Sequence, residues 1–363
     1  MQVSLSLKLL GVLIITLCYF GSGSLLFAKE SLFLKAPSGF KINVYATGLP
    51  NARTMVLGDK GTLFVGTRKA GNVYAIQNNK KYTIARNLNM PNGVAFHKGS
   101  LFVAEVNRIL RFDQIESSLD KPPKPVVIRD DLPTKTHHGW RFIAFGPDNR
   151  LYISIGAPCN ICLQKDFAQI RSMKADGTDE KIVASGIRNS VGFTWHPDTK
   201  KLWFSDNGRD WLGDDLPPDE INRVDQAGQH FGFPYCHGGF VQDPEFTKFN
   251  CQSFSSPAKQ LGAHVAPLGI AFYTGKMFPP EYQNQLFVAE HGSWNRSKKT
   301  GYRIAIARLK GEKVIAYETF VSGWLDNQKV KGRPAYVLPM PDGSLLISDD
   351  SAGIIYRVTY PRP

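Results

Sequence analysis

Short apolar runs separated by polar turns recur along the whole chain, and the runs resemble one another. A turn residue followed by Leu and an aromatic or aliphatic pair appears at 61–65 (GTLFV), 99–103 (GSLFV), 150–154 (RLYIS), 201–205 (KLWFS), 285–289 (QLFVA) and 344–348 (SLLIS). Runs of this length, rich in β-branched and aromatic residues and bounded by turn formers, predict strands. Further strands are predicted upstream, at 93–96, 141–145 and 192–195, and downstream, at 73–76, 109–112 and 354–358. Four short strands per unit, repeated about six times, predict an all-β, six-bladed β-propeller. A sandwich or barrel also uses short strands, but repeating Gly-x-Leu-aromatic at this spacing favours the propeller. The stretch 113–119 reads as one or two helical turns, and 206–266 as a long loop-rich insertion on one face. Residues 29–363 read as one domain.

The composition fits this reading, with 33 Gly, 23 Pro and 12% aromatics in 363 residues. A chain of this size buries about 75% of its unfolded surface and needs no cross-links to form a core. The net charge of +13 is spread rather than blocked; its densest clusters are Arg296, Lys298 and Lys299, and Lys329, Lys331 and Arg333. Nucleic-acid binders concentrate such charge on one face. A generally basic surface without a nucleic-acid partner is therefore expected, suited to a small anionic cofactor or an acidic redox partner.

The N-terminus carries Lys8, an apolar run at 9–17, small residues and then Phe27-Ala28 before Lys29. This is the form of a signal peptide spanning 1–28, which places the mature protein in the periplasm or outside the cell with no stable membrane span after processing. An uncleaved anchor is the alternative, but a spanning helix needs about 20 apolar residues, and Gly21-Ser22-Gly23-Ser24 interrupts this one. With Cys18 in the signal, Cys159, Cys162, Cys236 and Cys251 remain. In an oxidising compartment they read as two local disulfides, Cys159–Cys162 and Cys236–Cys251. A c-type haem site would need His after Cys162, where Leu163 stands, and a four-Cys zinc site would need a second close pair.

Candidate chemistry lies in four loops beside strand ends. His137-His138-Gly139-Trp140-Arg141 precedes a strand and offers a base that titrates near neutrality. Gly186-Ile187-Arg188-Asn189 offers a planar fork of donors for an electron-rich oxygen. The acidic turn from Ser205 through Asp210 to Asn222 suits calcium, which accepts backbone carbonyls and irregular geometry. Glu290 to Arg296, with Arg333 to Tyr336, offers cations and rings for a flat polyanion. Taken singly, each loop also reads as an ordinary solvated or packing turn.

Together the blocks HHGWRF, GIRNSVGFTWHP, SDNGRDWLGDDLPPDEIN, HFGFPYC and VAEHGSWNRS resemble the family of soluble pyrroloquinoline quinone (PQQ)-dependent sugar dehydrogenases, the glucose/sorbosone group, over nearly all of the mature chain. The resemblance implies PQQ and calcium as cofactors. It implies His137 as general base and Arg188 near the quinone oxygen and the substrate. Arg141, Asn189, His291, Trp294, Arg296, Lys299 and Arg333 would bind cofactor. Calcium would be held at Gly208, Arg209 and Asp210, chiefly by the Gly208 and Arg209 carbonyls. Arg209 stands where a proline is common in the glucose enzymes, and Ala335 where a second arginine would be. The implied reaction oxidises an aldose, sorbosone or related sugar and passes electrons to an external cytochrome or quinone. A calcium-dependent propeller lactonase or esterase and a non-catalytic sugar-binding propeller are the competing readings.

Overall fold

The computed structural model describes residues 33–361. The predicted signal peptide lies outside them. Six antiparallel sheets follow one another along the chain and form the blades of a propeller. The first strands of the blades, in chain order, are Ala52–Leu57, Gly93–His97, Ile143–Phe145, Phe193–Trp195, Pro267–Phe272 and Pro334–Pro339. All the repeated Leu-aromatic segments fall on second strands: Leu63–Thr67, Ser100–Ala104, Leu151–Ile155, Leu202–Asp206, Leu286–Glu290 and Leu345–Asp349. These strands are sandwiched between neighbouring blades, so both of their faces are dry. Phe64 and Val65 point to opposite faces and are both fully buried, which is why the runs are continuously apolar rather than alternating. The outer strands are more polar, as in Lys80–Ala85 (KKYTIA), and charged outer strands resist edge-to-edge pairing.

Blades converge most tightly near the first strands, and glycine makes room there. A Cβ on Gly66 would lie 2.3 Å from the Asn92 carbonyl, and one on Gly192 would lie 2.3 Å from the Leu268 carbonyl. The ring is closed by pairing its two ends. Lys41–Ala46 forms the outermost strand of the last blade, antiparallel to Ile354–Thr359, with Lys41 opposite Thr359.

One expectation needs correction. The segment 206–266 is not one loop, because it carries the third and fourth strands of the fourth blade, Pro218–Arg223 and Lys259–Ala263. Its acidic residues disguised the third strand. Asp219 and Glu220 are buried there because backbone N–H groups satisfy them: Gly208 and Ala266 donate to Asp219, and Gly238 to Glu220. The true insertion joins these strands and includes Gln229–His230, paired in parallel with the outer strand of the third blade, and the hairpin Cys236–His237/Val241–Gln242. The 113–119 segment yields a single 3-10 turn, Ile115–Ser117. Both disulfides form as predicted. No helix among the described residues is long and apolar enough to cross a membrane.

Candidate active site

The loops that follow the second strands and those that lead into the first strands meet at one end of the ring. They surround a cleft of about 520 Å³. From the first group come Arg68 and Lys69, Asn207, Gly208 and Asp210, and His291, Gly292 and Trp294; from the second come His137, His138 and Trp140, Arg188 and Asn189, and Arg333.

His137 is exposed at the cleft, its ring 4.1 Å from that of His138. Among the described residues no hydrogen bond engages its nitrogens. Partial burial, then the nearby Arg188 charge, lower its pKa below 6.5, so the ring is neutral and able to accept a proton at pH 7. His138 is buried, with its Nδ1 2.8 Å from the Ala157 carbonyl. Nδ1 is therefore the donor, and Nε2 keeps the lone pair. Burial, followed by the charges of Arg188 and His137, holds His138 well below the usual histidine range. A base that must be neutral loses activity as it protonates. The acid limb of the pH–rate profile is therefore expected below 6.5, the unperturbed value; a midpoint above it would remove the assignment to His137.

Arg188 is buried and committed in several directions. Its Nε donates to the Asn160 carbonyl at 2.9 Å, Nη1 to the Asn207 carbonyl at 3.1 Å, and Nη2 to Asn160 Oδ1 at 2.9 Å and Asp210 Oδ2 at 3.2 Å. Of the five guanidinium donors, these contacts leave one uncommitted. The backbone N–H groups of Arg188 and Asn189 donate to the buried carboxyl of Asp206 at 2.9 and 2.6 Å, which fixes the turn. Burial, and then Glu220, push Asp206 well above the carboxylate range.

His291 donates from Nε2 to Asp350 Oδ1 at 2.8 Å, and Arg53 Nε lies 2.7 Å from the other oxygen of the same carboxylate. Burial lowers His291 to about 4, so it is neutral at pH 7. Arg333 donates to the His291 and Gly292 carbonyls and lies over the Tyr302 ring at 5.4 Å. Trp294 lines the cleft but is 65% exposed, and it meets Trp211 edge-on at 5.4 Å.

The structure removes three expected cofactor residues from the cleft. Arg141 is fully buried and donates to the Val106 and Pro133 carbonyls, bracing loops behind the site. Arg296 turns to Asp215 and the Asp214 carbonyl, and Lys299 to the Gln328 carbonyl. In their place stand Arg53, Arg68 and Lys69, which the sequence reading passed over. A signal was there: Arg68 directly follows the first repeated strand, the slot held by Asn207, His291 and Asp350 in later blades. Arg68 lies over the Trp140 ring at 4.1 Å, and burial lowers it to about 10, still cationic at pH 7. Its Nε and the Trp140 Nε1 are buried with no hydrogen-bond partner.

The expected metal residues divide by role. The Gly208 and Arg209 carbonyls accept no hydrogen bond among the described residues. The Arg209 side chain turns away to Asp243 at 2.5 Å, and the Asp210 carboxylate is taken by Arg188. No group of three or more His, Cys, Asp or Glu side chains among the described residues could hold a metal, so a cation here would rest on carbonyls.

The molecule is a propeller with a cationic cleft at one end and a neutral histidine beside it, and comparison identifies its family. Residues 104–357 match the glucose/sorbosone dehydrogenase family. The chain belongs to that family of sugar oxidoreductases. It is 38% identical over 351 residues, 91% of each chain, to an uncharacterized protein of Borreliella burgdorferi. Its fold is shared with a calcium structure of a Trichoderma reesei carbohydrate-active enzyme of family AA12 (TM-score 0.79, 20% identity, 90% of this chain and 97% of that one). It is shared equally with the holo form of the pyranose dehydrogenase PQQ domain from Coprinopsis cinerea (TM-score 0.78, 18% identity, 90% and 97%).

Proposed function

We propose that the protein oxidises an aldose, sorbosone or related sugar in a PQQ- and calcium-dependent reaction outside the cytoplasm and passes the electrons to an external cytochrome or quinone. The observation that carries this reading is the charge of the cleft. Arg68, Lys69 and Arg333 all line it, and none has a carboxylate at ion-pair distance among the described residues. Three unpaired cations, with orphaned donors on Arg68 and Trp140, fit a flat tricarboxylate such as PQQ. The free carbonyls of Gly208 and Arg209 fit calcium. The holo pyranose dehydrogenase domain and the calcium structure of the AA12 enzyme, alike in fold, support the same pairing.

When bound, PQQ supplies the hydride acceptor and calcium makes it more electrophilic. The chain supplies the rest. Arg68, Lys69 and Arg333 would hold its carboxylates, and Trp140, with Arg68 packed on it, walls the cleft. His137 takes the proton from the sugar hydroxyl at a ring nitrogen, and its lowered pKa keeps that nitrogen vacant at neutral pH. Arg188 holds a fixed positive charge beside the reacting oxygens and has one donor to offer.

Replacing Arg333 with Ala is expected to weaken PQQ binding about 10- to 100-fold, from the loss of one charge-assisted contact. Fluorescence titration with PQQ measures this, and unchanged affinity would remove Arg333 from the cofactor set. The decisive test of the function is dye reduction by mature protein, with and without PQQ and calcium, across aldoses, polyols and sorbosone. Activity that needs both additions supports the proposal. Failure to bind PQQ, with hydrolysis of lactones instead, would replace it with the lactonase reading.

A further inference from the structure

One partly buried contact set lies beside the cleft and belongs to a residue that the proposed chemistry does not use. Asn160 sits between Cys159 and Cys162, which are joined by a disulfide across a sequence separation of 3. Its backbone carbonyl accepts from Arg188 Nε at 2.9 Å, and its Oδ1 accepts from Arg188 Nη2 at 2.9 Å. The same Oδ1 accepts the Asp210 N–H at 2.8 Å, and Nδ2 donates to the Asp210 carbonyl at 3.1 Å. The network fixes which amide atom is which, because exchanging them would set donor against donor at Arg188 and at Asp210. One side chain thereby joins three loops: its own in the third blade, the Arg188 turn entering the fourth, and the Gly208–Asp210 turn with its free carbonyls.

We infer that Asn160 is the positioning residue for Arg188 and that the Cys159–Cys162 disulfide serves to hold Asn160 in place. The catalytic meaning rests on the function proposed above, which puts Arg188 beside the reacting oxygens; the contacts do not depend on it. Without the Asn160 side chain the guanidinium keeps the residue-160, Asn207 and Asp210 acceptors but loses Oδ1, the atom that ties Nη2 to the Asp210 turn. Nη2 is then free to shift about the Nε anchor, and the turn at Asp210 loses its bonds to the side chain at both its N–H and its carbonyl. The disulfide suits this local task. Chain from Ala157 to Ala168 forms no strand, so nothing else in the ladder fixes the Asn160 backbone. A cross-link across so short a loop constrains the unfolded chain less than a long one does, so its main effect is on geometry where it stands.

The experiment has a kinetic arm and a structural arm. Asn160→Ala is expected to lower kcat about 100-fold, the scale for misplacing a catalytic group by roughly 1 Å, with PQQ affinity and sugar KM within about threefold of wild type. Asn160→Asp keeps acceptors for Arg188 and for the Asp210 N–H and is expected to recover part of the loss. In an Arg188→Lys background, Asn160→Ala is expected to add little further loss, because residues that act through one another are not additive. A full additional loss in that background, or unchanged kcat in the single variant, overturns the positioning role. In the structural arm, a crystal structure of the Cys159→Ser/Cys162→Ser double variant is expected to show Arg188 Nε parted from the Asn160 carbonyl in an otherwise intact propeller. An unmoved Arg188 overturns the role of the disulfide. This arm reads out whether or not the wild type oxidises any sugar, so it stands apart from a failure of the proposed function. If Asn160→Ala does not fold, Asn160→Asp and the double serine variant carry the test.

Discussion

Replacing His137 with Ala is expected to lower turnover by about 10²- to 10⁴-fold, the range for loss of a positioned general base, while PQQ binding stays near wild type. His137 lies at the cleft with its nitrogens uncommitted, and no contact with the cationic cluster of Arg68, Lys69 and Arg333 would be lost with it. Steady-state kinetics under saturating PQQ and calcium, beside a PQQ titration, checks both halves. The neighbouring His138 is the built-in control. Its proton is fixed on Nδ1 by the Ala157 carbonyl at 2.8 Å, so its Nε2 is also a vacant base. Near-normal turnover in His137→Ala with collapse in a His138 variant would move the base one residue along the chain.

The second large effect is on stability. Asp350→Ala is expected to cost about 3–5 kcal/mol, the scale for removing one partner of a buried ion pair. Asp350 accepts from His291 at 2.8 Å and pairs with Arg53 at 2.7 Å, and Arg53 is only 3% exposed. Removing the carboxylate leaves that guanidinium buried with no counter-charge. The three residues belong to different blades: Arg53 to the first strand of the first, His291 to the loop after a second strand of the fifth, and Asp350 to the matching loop of the last. The substitution therefore loosens contacts between blades as well as the cleft wall. Denaturant unfolding measures the loss. Asp350→Asn, which keeps an acceptor for His291, is expected to lose less, and a loss below about 1 kcal/mol in the alanine variant would mean that water reaches Arg53.

Much of the propeller was legible because its repeat is written in residue types. Strands with two dry faces must be continuously apolar, and the Leu-aromatic segments announced them one blade at a time. The third strand of the fourth blade was hidden because Asp219 and Glu220 look like loop residues until the N–H groups that satisfy them are seen, and those come from Gly208, Ala266 and Gly238, distant in the chain. Placement at the cleft was legible where a motif carried it, as for His137, Arg188, Asn189, His291 and Arg333, all of which line it. It failed where charge alone was the guide. Arg296 and Lys299 are as basic as Arg68, but acidic and carbonyl partners in neighbouring loops draw them outward. Arg141 shows the same limit in reverse, since a cation beside a candidate catalytic motif is here a buried brace.

The pairing of Lys41–Ala46 with Ile354–Thr359 also bears on how the molecule is made. This ladder joins residues more than 300 positions apart, so the last blade cannot be completed until nearly the whole chain has been synthesised. Contacts of such long sequence separation slow folding. Until they form, the chain is an open arc with unpaired strand edges at both ends, the state most exposed to aggregation and proteolysis.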